Sequence, residues 1–107
     1  MIIDVLGTGY DLSESNEQSD PRLVAKDGYC DTSVKQCVVD EMKPGDIHEK
    51  QDLEYCKRHV QRHELIHAFL FESGVDVCCE WATEGMVDWV AIQAPKLFEA
   101  FKAADAM

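Results

Sequence analysis

No apolar run in this chain of 107 residues approaches the roughly 20 residues needed to cross a bilayer, so a membrane is not an expected partner. The N-terminus, Met1-Ile2-Ile3-Asp4-Val5-Leu6-Gly7, lacks both the basic and the sustained apolar region of a secretory signal. There is no C-x-x-C pair, which disfavours a zinc ribbon. Basic residues are also scarce: 10 Lys and Arg stand against 21 Asp and Glu, for a formal net charge of −11. Phosphate binding needs a basic patch, so nucleic acid is not an expected partner either. Internal repeats and low-complexity tracts are missing.

What is present fits one small folded domain over residues 1–107. A hydrophobic share of 46% is normal for a globular protein and too high for general disorder. The five cysteines are odd in number and come without an export signal, so reduced thiols in a cytoplasm are expected. Cys30 and Cys37 can face each other across a hairpin, although two small strand residues is the simpler reading. Cys78 and Cys79 read as buried apolar fillers.

The order of elements predicts an α+β domain: a sheet region over 1–45, a long helix within 46–74, and further helices over 79–105. Residues 2–6 read as a strand stopped by Gly7-Thr8-Gly9. Tyr10-Asp11-Leu12 continues or pairs with it, and Ser13 to Asp20 reads as a surface loop. Gly28–Asp31 and Gln36–Asp40 form a hairpin, the second run being a candidate edge strand. Asp46, with Glu49 three residues on, is placed to cap a helix from about Ile47 to Glu72. In that helix Leu53, Cys56, Val60, His63, His67 and Leu70 recur at steps of three and four. Beyond Glu64 the helix is apolar nearly all round, which predicts a path through the middle of the domain. Ser73-Gly74 ends it. A second helix is expected from about Glu80 to Gln93, with Trp81 and Trp89 in its buried stripe. Pro95 should break or kink it before a terminal helix with Leu97, Phe98 and Phe101 inward.

The chemistry concentrates in His63-Glu64-x-x-His67. On a helix this spacing sets two imidazoles one turn apart on one face, able to share a zinc ion. Glu64 is then placed to take a proton from a zinc-activated water. A catalytic zinc usually has three protein ligands, and Glu84 is the candidate for the third. Asp88, Asp76 and Glu80 are its competitors. Asp88, one turn after Glu84, could instead accept the free ring N–H of a ligating histidine. His59 is expected at the cleft edge or in solvent, His48 in solvent, and Arg58 and Arg62 on surface acids.

His63-Glu64-x-x-His67 followed by Glu84-x-x-x-Asp88 resembles the signature of the gluzincin metallopeptidases, the thermolysin-like clan. The string from Arg62 to Gly74, with Val87-Asp88-Trp89, Asp20-Pro21 and Asp27–Asp31, is similar to short phage- and prophage-encoded metallopeptidase-like proteins. The resemblance implies a minimal zincin-like fold: a small N-terminal sheet packed on the helix of His63 and His67, with the glutamate helix behind. It implies Zn²⁺ as cofactor on His63, His67 and Glu84, Glu64 as catalytic base, and Asp88 as support for a histidine. It implies a peptide or protein substrate, and a bacterial host cytoplasm as location. The chain departs from that clan in lacking a second domain and in carrying Thr83 where an asparagine precedes the ligand glutamate. Tyr29, Tyr55 and His59 are candidates for stabilising the oxyanion, and the substrate is expected to lie along Gln36–Asp40. The competing expectation is a zinc-binding module of the same fold that turns over no peptide.

Overall fold

The computed structural model describes residues 1–44 and 51–107. Strands β1 (Ile2–Val5) and β2 (Thr8–Ser15) form a hairpin whose two-residue loop has positive φ at both Leu6 and Gly7. That is the turn whose twist matches its flanking strands. β3 (Gly28–Asp31) and β4 (Gln36–Asp40) make the second hairpin, and the sheet order is β1-β2-β4-β3. β2 runs parallel to β4, antiparallel pairs flank it, and the connection from β2 to β3 carries a 3₁₀ turn at Pro21–Leu23.

Two expectations about the sheet are corrected. Ser13–Ser15 belong to β2 rather than a loop, because they pair with Val38–Asp40 of the central strand. Backbone pairing there overrides their polar composition. β4 is interior, and the edge strand on this side is β3.

Helix α1 spans Leu53–Glu72, and the Asp52 side chain accepts a hydrogen bond from the Tyr55 N–H at its start. Asp52 therefore caps α1 later than expected. Asp46, Glu49 and His48 lie outside the described residues. A short α2 (Val75–Cys78) follows Ser73-Gly74, and α3 runs unbroken over Glu84–Ala103. α1 lies on the sheet around a core of Val5, Tyr10, Cys37 and Ala68, with Leu12, Cys30 and Leu65 against it. It is not enclosed: the sheet, α2 and α3 pack against it, yet Phe69 and Phe71 are exposed.

Pro95 does not break α3. A proline inside a helix leaves the carbonyl four residues earlier without its N–H partner. Here that carbonyl belongs to fully buried Ala91, and Arg62 Nε donates to it at 2.6 Å. The expected surface role for Arg62 is thereby replaced: its guanidinium satisfies the proline gap and ties α3 to α1. The face of α3 that docks centres on Val87 and Ala91, nearly opposite the predicted stripe. Trp81 and Trp89 are accordingly 58% and 56% exposed, and Phe98 and Phe101 are exposed too. Cys78 is exposed rather than a core filler.

Gly28 is the glycine that decides the position of the site. A Cβ there would stand 2.9 Å from the Val38 carbonyl oxygen and 2.9 Å from Val60 Cγ1. Only a residue without a side chain lets α1 lie this close to β3, where Glu64 can overlook the strand.

Candidate metal centre

His59, His63 and His67 follow each other by single turns on α1, and Glu84 and Asp88 do so on α3. Later residues of α3 meet earlier residues of α1, so the two helices run antiparallel. Thr83 sets the register of α3: its Oγ1 accepts from the Met86 N–H at 3.2 Å. A capping asparagine would do the same work, so the departure at this position keeps the helix start.

His67 Nε2 lies 2.8 Å from Glu84 Oε1, and His63 Nε2 lies 3.1 Å from Glu84 Oε2. The two imidazoles thus face the two oxygens of one carboxylate, with ring centroids 5.0 Å apart. A tetrahedral zinc with bonds of about 2.1 Å would hold its donors roughly 3.4 Å apart. The two contacts, each to a different oxygen of Glu84, are shorter than that by about 0.6 and 0.3 Å, so Glu84 would have to draw back around a metal. Glu84, with a side chain 74% exposed, has the freedom to do so. Two imidazoles and one carboxylate within reach of one another could hold a metal ion. Asp76 lines the adjoining cavity but is not part of this donor group, and neither is Glu80.

Asp88 Oδ1 meets His63 Nδ1 at 3.3 Å and His59 Nε2 at 2.9 Å. The hydrogen bonds from these two imidazoles, His59 first, hold the Asp88 carboxyl below its usual range. An N–H of His63 on Asp88 leaves the opposite ring nitrogen with its lone pair toward Glu84. His59, His63 and Asp88 also form a cluster able to hold a cation, but it shares His63 with the first. His59 lines a cavity edge and also braces Asp88.

Glu64 points away from α3 toward the sheet and is 7% exposed. Burial pushes its carboxyl up to about 7; Glu84 adds repulsion, while His63 and Lys26 oppose the rise. Its side chain makes no hydrogen bond among the described residues. A cavity of about 400 Å³ opens over Glu64, His63, His67 and Glu84, walled by Gly28, Tyr29 and Cys30 of β3. A second, of about 290 Å³, lies on the other side of Glu64 with Cys56, His59, Val60 and Asp88.

Compared with known proteins, the chain matches no family model, no curated protein and no solved structure. The site must be read from its own geometry.

Several residues at this site are not evident from sequence. Lys26 is the one cation lining either cavity, follows Ala25 in a left-handed backbone (φ 60), and makes no ion pair among the described residues. No motif marks it; a loop brings it there. Gly28 could have been found, since a glycine within a strand signals close approach of another element. Tyr29 OH is occupied by Asp20 and Arg22, with the Arg22 guanidinium 4.2 Å from the ring centroid. Burial raises its phenol to about 12. Tyr55 is exposed and His59 is held by Asp88, so all three expected oxyanion candidates are turned to other work or to solvent.

Proposed function

We propose that the chain is a zinc-dependent metallopeptidase of minimal zincin-like design, with His63, His67 and Glu84 as metal ligands. The observation that carries this reading is the convergence of two imidazole Nε2 atoms on the two oxygens of Glu84, at 2.8 and 3.1 Å. When bound, zinc supplies a Lewis acid and lowers the pKa of a water toward neutrality.

The residues of this chain do the rest. Glu64, beside His63 and facing the cavity, takes a proton from the attacking water and returns it to the leaving amine. Burial raises this carboxyl above the ordinary range in the metal-free fold, so the cavity lets it hold a proton as well as release one. Asp88 fixes the tautomer and orientation of His63, and His59 steadies Asp88.

The substrate lies along β3, not along β4 as the sequence suggests. The Asp40 N–H donates to the Asp27 carbonyl at 2.8 Å, which sets the phase of the β3–β4 ladder. Alternation then points the backbone groups of Tyr29 and Asp31 at β4 and those of Gly28 and Cys30 outward. These open groups sit beside the cavity and can hold an extended peptide as an added strand.

The test is to load purified protein with zinc, measure metal per chain, and assay cleavage of a library of quenched fluorescent peptides. One zinc per chain, with cleavage lost in Glu64→Gln while zinc is kept, supports the reading. Zinc bound with no cleavage by the wild type overturns it in favour of a non-catalytic binding module.

A further inference from the structure

One thiol at the wall of the cavity described above, Cys30, has a second directly behind it, Cys37. Cys30 of β3 and Cys37 of β4 are register partners, and their Sγ atoms are 3.5 Å apart. The hydrogen bond from Asp40 to Asp27 makes Cys30–Cys37 one of the pairs that exchange no backbone hydrogen bonds. In such pairs the Cα atoms come closest, at about 4.5 Å, within the span a disulfide tolerates. The two members are not equivalent. Cys30 is half-buried and lines the cavity of His63, Glu64 and His67; Cys37 is fully buried, its Sγ donating to Cys30 and lying 3.6 Å from the Glu64 carbonyl.

We propose that Cys30 and Cys37 form a peroxide-oxidisable pair, Cys30 being the thiol attacked from the cavity and Cys37 the thiol that resolves it. The Cys30 sulfur attacks the O–O bond of a peroxide, giving a sulfenic acid and releasing the reduced alcohol or water. Cys37 then attacks the Cys30 sulfur; the S–S bond forms, and the Cys37 proton leaves with the displaced hydroxide as water. Two thiols have lost two electrons, and the peroxide has gained them.

The asymmetry supports these roles. The bond donated by Cys37 favours the thiolate of Cys30, and the same bond with burial disfavours that of Cys37. The first attack needs access, which only Cys30 has. Closing the pair asks the sulfurs to approach from 3.5 Å to about 2.05 Å, a movement within reach of a χ1 adjustment. The product staples the edge strand β3 to β4 and takes the thiol off the cavity wall. Other cysteines are worse placed: Cys56 has no thiol neighbour, and Cys78 and Cys79 are adjacent in sequence with sulfurs 3.8 Å apart. Bridging such neighbours requires a strained ring.

The experiment treats folded wild-type protein with hydrogen peroxide, then alkylates the remaining thiols and maps tryptic peptides. The expected result is a loss of two hydrogens per chain, with the peptides carrying Cys30 and Cys37 linked and Cys56, Cys78 and Cys79 alkylated. In Cys37→Ser the reaction should stop at a sulfenic acid on Cys30, trapped by dimedone. Cys30 and Cys37 both alkylated while the other thiols oxidise would overturn the proposal, as would dimedone on Cys37 in Cys30→Ser. The wild-type map needs no variant to fold. Zinc content enters neither outcome, so failure here is separate from failure of the peptidase reading.

Discussion

On one side α1 lies against the sheet, and on the other it meets α3. The sheet side is apolar apart from Glu64: Ala68 and Leu65 pack on Tyr10, Val5 and Cys37, and Gly28 lets the helix settle on β3. Its far end is tied by Glu72, which accepts from Tyr10 OH at 3.0 Å and from Lys35 Nζ at 2.9 Å. The α3 side is polar nearly throughout, with His59, Arg62, His63 and His67 against Asp88, the Ala91 carbonyl and Glu84. Only Val87 and Ala91 of α3 are fully buried. Apolar burial therefore holds α1 to the sheet, whereas the candidate metal centre itself does much of the holding between α1 and α3. A folded platform and a helix latched by its functional groups are two separable things.

Substitutions that respect or cross this division should separate them. The largest effect is expected on the sheet side. Gly28→Val places a side chain against the Val38 backbone and Val60, and should cost about 3 kcal/mol in chemical denaturation of the metal-free protein. A neutral Gly28→Val would mean that α1 does not depend on this contact. On the α3 side, Glu84→Ala should lower zinc affinity well beyond the 10–100-fold expected for Asp88→Asn, as read by chelator competition. Equal effects of the two would remove Glu84 from the ligand set.

Arg62→Met leaves the Ala91 carbonyl buried without a donor beneath Pro95, and should cost about 2 kcal/mol in thermal or urea unfolding. Pro95→Ala supplies an N–H to that carbonyl, so the double variant should recover most of the loss. Absence of coupling in this cycle would break the link between the proline and the arginine.

The smallest effect lies between the two sides, at Glu64, and it depends on pH. Its carboxyl is raised from 4.5 to about 7 in the metal-free fold, so the native state holds the proton longer than the unfolded chain does. The stability this contributes is complete below 4.5 and is lost as the pH rises through about 7. Glu64→Gln keeps the neutral form at every pH. Metal-free Glu64→Gln should thus be more stable than wild type at pH 8, by on the order of 1–2 kcal/mol, with no gain at pH 4. A gain of equal size at both pH values would sink this account.

The same division decides what could be read in advance. Spacing of four within a helix is local, so His63, Glu64 and His67 on one segment, and Glu84 with Asp88 on another, were legible as sets. The α+β order, the β3–β4 hairpin and the end of α1 at Ser73-Gly74 were legible for the same reason. The expected stripe of α3 was rotated because tryptophans score as core, while the docked face was chosen by polar partners on α1. Pro95 reads as a helix break or kink, and the break does not occur because its compensation comes from Arg62, far away in sequence. Ser13–Ser15 looked like a loop because their partner strand lies more than twenty residues on.

By itself, the sequence determined an α+β chain with two helical sets of ligand-type side chains, since helical periodicity needs nothing beyond neighbouring residues. Only the tertiary structure decided that Glu84 faces both imidazoles, that β3 rather than β4 is the open edge, and that Lys26 and Cys30 border the cavity. Those outcomes rest on strand order and on how closely two helices approach. Both are settled by contacts between distant segments, which no local spacing encodes.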